Sequence, residues 1–198
     1  NIKKSNINYY NVNLNNLSLL NNKLNQIIKD SKNKIDLIIC CAAESTFGNL
    51  EKISFNDYKK NMNVIFFSHL MIIKKILPLM QKHKYGHIVN ISSGAGIVGL
   101  EKSSNYSVGK SSMQILIESI SKELGKKNIF AKNIFPGPTK TNFFRKNTYI
   151  GYKPKIKGKS TVSISKIIVK KLFEKKINIF CQKKTMAAFI IKMFPGIF

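Results

Sequence analysis

Ser93, Tyr106 and Lys110 are residue types that together suit proton transfer at a carbonyl. Tyr106 precedes Lys110 by four residues in SSNYSVGK, and Ser93 lies thirteen residues before the tyrosine. On a helix, side chains at i and i+4 lie one above the other, so the pair shares a face. A tyrosine titrates near 10 in water, and bringing it to about 7 takes about 4 kcal/mol of preferential phenolate stabilisation. A lysine ammonium one turn away in a partly desolvated cleft supplies a large share of that. A serine hydroxyl facing the same cavity holds a substrate carbonyl for proton delivery. The set suits ketone reduction or alcohol oxidation, provided another group carries the hydride, because no side chain can.

The elements around these residues have to bring them together. SLLNNKLNQIIKD (18–30) shows helical spacing of apolar residues, and IDLIICCA then reads as a central strand. A long helix is expected from Ser54, where Ser54 and Asp57 form a start signal, onward to Met80. GHIVNIS (86–92) reads as a strand and VGKSSMQILIESISKELG (108–125) as a helix with Gly125 as its C-cap. NIFAKNIF (128–135) reads as a strand stopped by Pro136 and Gly137; a helix over 163–174 and a last strand near INIFC follow. Strands alternating with helices imply parallel pairing by right-handed crossovers, an open α/β sheet that binds ligands beyond its carboxyl ends. Ser93, PGPTKT and the AA of Ala42 and Ala43 all fall just after strands.

With these residues in place, the chain resembles the short-chain dehydrogenase/reductase family. That family's Y-x-x-x-K stands here as YSVGK, preceded by a strand-end serine in IVNISSGAG. The resemblance implies a Rossmann-like, doubly wound parallel sheet. It covers one domain, residues 1–198, that starts at about the family's third strand and lacks its first βαβ unit. It also implies Tyr106 as general acid/base, Lys110 as the group that lowers its pKa and binds the nicotinamide ribose, and Ser93 as the residue that orients the carbonyl. Ser92 is the neighbour, but the spacing favours Ser93. Asn63 in NMNVIFF matches the helix asparagine of a proton relay, although Phe66 stands where a glycine is usual. CCAA (Cys40 to Ala43) answers to the family's N-N-A-G with Ala42 alone unchanged, which places Ala42 and Ala43 against the cofactor. PGPTKT matches P-G-x-x-x-T, giving Pro136, Gly137 and Thr141 contacts with the carboxamide; a helix N-cap is the competing use of Thr141. Asn13 matches an adenine-contacting aspartate. The implied cofactor is NADP or NAD, with NADP favoured. GAGIVG (Gly94 to Gly99) lacks the strand-turn-helix context of the glycine-rich pyrophosphate turn.

Composition narrows the alternatives. A chain of 198 residues with 43% hydrophobic content folds around one core. The net charge of +25 raises phosphate partners, yet the lysines are scattered and no nucleic-acid recognition motif is present, so solvated lysine and no nucleic acid are expected. KPKIKGK (Lys153 to Lys159) retains the option of acidic lipid. Cys40, Cys41 and Cys181 have no ligand spacing; the first two read as buried strand residues in a reducing, cytoplasmic compartment. His69, His83 and His87 read as surface or satisfied histidines, and no metal is expected. In the resembling family the loop that holds Phe143 and Phe144 closes over substrate, which would favour an apolar one; packing under the loop is the competing use of the pair. The tail from 185 to 198 is apolar but broken by Lys192 and Pro195, and reads as a packed segment or a peripheral membrane contact on the cytosolic side. The long helices around 54–80 and 107–124 are the expected surfaces of a homo-dimer or tetramer. Two functions are carried forward: a nicotinamide-dependent reductase of an apolar or lipid-like ketone, and a non-catalytic chain of the same fold that binds a partner or a membrane surface.

Overall fold

Helical and strand periodicities alternate along the chain, and a computed structural model turns them into a doubly wound α/β fold. It describes residues 7–124, 127–143, 147–151 and 157–193. Gly125, Phe144, Lys153 to Ile156 and the end of the tail from 194 lie outside the described residues.

The order is α1 (Leu17–Asp30), β1 (Leu37–Cys40), β2 (Thr46–Phe47), α2 (Phe55–Met62), a π-helical turn (Asn63–Phe67), α3 (Ser68–His83), β3 (Gly86–Ile91) and a single turn α4 (Gly94–Ile97). Next come α5 (Ser104–Leu124), β4 (Ile129–Phe135), β5 (Thr139–Lys140), β6 (Thr148–Tyr149), β7 (Lys159–Ser160), α6 (Thr161–Lys171), β8 (Asn178–Phe180) and α7 (Lys183–Met193). The main sheet runs β1-β3-β4-β8, parallel throughout, with β2-β6 and β5-β7 as two-stranded parallel additions.

Strand alternation sorts the core onto two faces. Ile38, Ile88, Ile129 and Ala131 meet Ile65, Ile73, Ile76 and Met80 of the α2–α3 run and Met113 and Ile117 of α5. Val89, Ile134 and Ile179 point the other way, onto Leu172 and Ile168. The run Phe55–His83 is long and apolar enough to cross a bilayer, but Ile65, Ile73, Ile76 and Met80 are used in this core. Ser54 starts it as expected, accepting the Asp57 N–H while its hydroxyl donates to the Asp57 carboxylate.

Several expectations need correcting. β1 is an edge strand among the described residues, where it pairs with β3 alone, and Ile39 on one of its faces is 49% exposed. The same alternation buries Cys40 and exposes Cys41, so the two do not share one environment. The helix read as 108–125 begins at Ser104, which puts Tyr106 in its first turn. The long helix is interrupted at Asn63, where the Ser68 N–H reaches back five residues to the Asn63 carbonyl. Solvated lysine fails at two positions. Lys110 and Lys132 are both buried, and Lys132 donates to the carbonyls of Leu172 and Glu174 just beyond α6. His69 is satisfied by the Ile65 carbonyl at 2.8 Å, but His87 is buried with Nδ1 unpartnered. The tail is helical through Met193 and only partly packed.

Candidate active site

At the carboxyl end of β3 the chain turns through Ser92 and Ser93. The Ser93 hydroxyl accepts the Ala95 N–H at 3.2 Å and so starts α4. That turn lies directly on α5: a Cβ at Gly96 would sit 3.0 Å from the Lys110 carbonyl carbon, so glycine permits the approach. The approach brings the Ser93 side chain near enough to Tyr106 to act on its hydroxyl. Lys110 is 3% exposed; its ammonium donates to the Ile91 carbonyl at 2.8 Å and lies 5.9 Å from the centre of the Tyr106 ring. The three residues singled out by spacing are therefore in one place.

Their electrostatics differ from the expectation that Lys110 lowers the tyrosine pKa. Burial pushes the Tyr106 hydroxyl up to about 12, against which the neighbouring Ser93 side chain acts downward and the nearby Cys41 adds a further upward push. Burial likewise pushes Lys110 down from 10.5 to about 8, with Cys41 and Cys40 opposing. The physical reason is placement: the ammonium sits by the ring and bonds a backbone carbonyl, in a pocket that penalises both charged forms. Tyr106 is thus held protonated, the form a proton donor needs. His69 is pushed down to about 4 by burial, with the Ile65 hydrogen bond opposing and the Lys110 charge adding to the effect.

An aromatic wall surrounds the tyrosine. Phe143 lies 5.2 Å and Phe47 6.3 Å from the Tyr106 ring, and Tyr149 stacks on Phe47 at 5.3 Å. Phe47 is held there by a polar hub one strand residue away. The Ser45 N–H donates to Asn147 Oδ1, the Ser45 hydroxyl donates to Asn105 Oδ1, and Asn61 donates to the Glu44 carbonyl. Asn105 Oδ1 also accepts the Tyr106 N–H at 2.7 Å, tying the wall to the tyrosine. None of Phe47, Tyr149, Ser45, Asn105 or Asn147 is signalled by sequence spacing, because their partners are up to 102 residues away.

The remaining expected residues are less closely gathered. The Asn63 amide reaches the Asn15 carbonyl at 3.5 Å, with no hydrogen bond to Tyr106 or Lys110. Ala42 and Ala43 follow β1, half-buried, at the same end of the sheet. Gly137 takes φ +73 between Pro136 and Pro138, whose carbonyls both accept from Gln182 Nε2 at 2.8 and 3.1 Å. Thr141 is exposed and its hydroxyl accepts the Phe143 N–H, the local turn that competes with a cofactor role. Asn13 is exposed, and its side chain accepts the Asn15 N–H just ahead of α1. Two groups at the site have bonding capacity left: Lys110 has one acceptor for three N–H donors, and the buried Ser92 hydroxyl has no partner.

The family model described as short chain dehydrogenase matches residues 1–149. The chain belongs to this family. It is 31% identical over 110 residues to retinol dehydrogenase 8 of Bos taurus, which covers 56% of this chain and 35% of the relative. It is 28% identical over 125 residues to 3-dehydrosphinganine reductase of Danio rerio, covering 62% and 38%. The chain thus spans less than half the length of these curated relatives. A short-chain dehydrogenase from Streptomyces avermitilis has a similar fold, with a TM-score of 0.79 at 15% identity over 95% of this chain and 78% of that one. A short-chain dehydrogenase from Sphingobium yanoikuyae, solved in complex with NADPH, gives a TM-score of 0.78 at 14% identity, covering 94% and 72%.

Proposed function

We propose that this short-chain dehydrogenase chain carries the proton-transfer half of a nicotinamide-dependent oxidoreductase that interconverts a ketone and a secondary alcohol. The observation that supports it most directly is the meeting of Tyr106, Ser93 and the buried Lys110 at the carboxyl end of β3, with the ammonium 5.9 Å from the centre of the Tyr106 ring. Tyr106 gives its proton to the carbonyl oxygen during reduction, and the Ser93 hydroxyl hydrogen-bonds the same oxygen and fixes its distance. A bound nicotinamide supplies the hydride at the carbonyl carbon. The residues suit its ribose end: Lys110 has N–H donors left for hydroxyls, the Ser92 hydroxyl is unpaired, and Ala42 and Ala43 leave room beside them. Lys110 would hold the ribose hydroxyls and keep an ammonium proton beside Tyr106, and Asn63, Asn13, Pro136, Gly137 and Thr141 are assigned to the proton relay and the cofactor by the family pattern. The cofactor in this reading is NADP or NAD, with NADP favoured. In the reverse direction Tyr106 takes the alcohol proton, which its raised pKa makes the slower direction at neutral pH.

The wall of Phe47, Phe143 and Tyr149 favours an apolar, lipid-like carbonyl compound, in keeping with the retinol dehydrogenase and 3-dehydrosphinganine reductase relatives. In the full-length protein, Tyr106→Phe is expected to lower kcat by about 10²-fold or more while leaving cofactor affinity within a few-fold. Turnover retained at the wild-type level removes Tyr106 from its role.

A further inference from the structure

Helix α7 is seated on the molecule by one side only. Thr185 is buried against Gly94 and Gly137, and the Phe189 ring lies 5.3 Å from Phe180. The adjoining side bears Met186, Ile190 and Met193, at i, i+4 and i+7, exposed by 44%, 40% and 58%; Ile191, on the other flank of the helix, is 48% exposed. Met186, Ile190 and Met193 form one helical stripe, and among the described residues about half of its surface stays open to solvent. Exposed Lys183 and Lys192 stand at the two ends of the helix, which contains no acidic residue. From residue 151 to 198 the sequence has twelve lysines against one acid, Glu174.

We propose that this face of α7 docks on an anionic lipid surface and presents the active-site end of the sheet to the bilayer. An amphipathic helix with lysines beside its apolar face lies in the interface plane, the apolar side chains among the acyl chains and the ammonium groups at anionic headgroups. Charge selects this occupant over a second copy of the chain, which would press Lys183 and Lys192 against their like. Placement adds a consequence. α7 follows the carboxyl end of β8, packs on α4, and its leading Gln182 holds the carbonyls of Pro136 and Pro138. A bilayer under α7 therefore lies on the side from which an apolar substrate reaches Tyr106. This last step rests on the reductase reading; the lipid contact does not.

The test is co-sedimentation of the full-length protein with phosphatidylcholine vesicles, with and without phosphatidylserine, at about 0.1 and about 0.5 M salt. Binding is expected with phosphatidylserine, reduced about tenfold by the higher salt and about tenfold by Ile190→Glu combined with Met193→Glu. Met186→Trp provides a second readout that leaves the stripe apolar: its fluorescence shifts to the blue on vesicles and is quenched by brominated acyl chains. Absence of binding to anionic vesicles, binding unchanged by the double substitution, or a tryptophan that stays in water overturns the proposal. So does light scattering that shows a dimer dissociated by the double substitution, since the face is then covered by a second copy. Tyr106→Phe is expected to bind vesicles like wild type, so failure of the catalytic reading leaves this result untouched.

Discussion

Replacing Lys110 by Met separates what the buried lysine does for function from what it costs the fold. Burial lowers its pKa from 10.5 to about 8, a difference equivalent to about 3 kcal/mol of disfavoured charge at pH 7. Methionine fills a similar volume without the charge but loses the bond to the Ile91 carbonyl, worth about 1–2 kcal/mol with the carbonyl left unpaired. The variant is expected to be more stable than wild type at pH 7 by about 1–2 kcal/mol, with turnover down by about 10²-fold or more. The pH dependence carries the decisive sign. Below pH 8 the lysine is protonated in both states and the folded state bears the full penalty. Between pH 8 and 10.5 the unfolded chain holds a proton that the folded chain has released, so wild-type stability rises and the advantage of the variant shrinks. Above 10.5 only the lost hydrogen bond remains and the order reverses. Tyr106, raised to about 12, makes folding less favourable as pH climbs above 10, but this slope is common to both proteins and cancels in the difference to first order. Urea denaturation of the two full-length proteins at pH 7, 9 and 10.5, followed by far-ultraviolet circular dichroism, reads the difference. A variant less stable at pH 7, or a gap that does not change with pH, refutes the claim that burial of the Lys110 charge is what lowers its pKa.

Two further substitutions test the frame of the site. Gly137→Ala asks a side chain to adopt φ +73 with its Cβ 2.7 Å from Gln182 Nε2 and 2.9 Å from the Thr185 hydroxyl; a loss of about 2–3 kcal/mol is expected, together with faster amide exchange along α7. Asn133→Ala strips the fully buried amide that accepts from Asn90 and donates to the Gln114 carbonyl and Asn178, and is expected to lower stability by about 2–4 kcal/mol in denaturant titration.

The chemistry was the most legible part of the sequence because it is local. Tyr106 and Lys110 are one turn apart, and Ser93 is fixed to its strand end by the short path from β3 to α5, so their meeting follows from spacing. The alternation of strands and helices was legible for the same reason, since period 2 and period 3.6 are written within a dozen residues. What escaped depends on partners distant in sequence. Phe47 belongs to a two-residue strand paired with Thr148 and Tyr149, too short to leave a periodic signal. Asn105 reads as an ordinary polar helix residue until Ser45 is brought against it. β1 was read as central because LIIC is apolar on both faces, whereas only the side carrying Ile38 and Cys40 is covered by α3 and α5. Burial of Lys110 and Lys132 was hidden by the abundance of lysine: in a chain with so many, neither identity nor neighbours mark the two whose ammonium groups end on backbone carbonyls.

The departure at Cys40, where the family pattern leads to an asparagine, gains a physical meaning from the strand register. Cys40, Asn90, Asn133 and Asn178 are successive lateral partners across the four parallel strands. Asn90 donates to Asn133, Asn133 donates to Asn178, and Asn178 donates to Glu118 of α5, which also accepts from Gln114. Three strands and the catalytic helix are thus laced by side-chain amides at one level of the sheet, one residue before Ile91, whose carbonyl receives Lys110. An amide at residue 40 would extend that row to the edge strand; a buried thiol ends it, and β1 is held to β3 by backbone bonds and by packing of Ile38 and Cys40 on one face and Leu37 on the other. The site lies on the laced side of this break. Ser93, Tyr106 and Lys110 are carried by β3 and α5, both tied into the row, while Ala42 and Ala43 at the end of β1 are not. The cysteine at residue 40 therefore falls on the segment proposed to back the cofactor and leaves Ser93, Tyr106 and Lys110 in their frame.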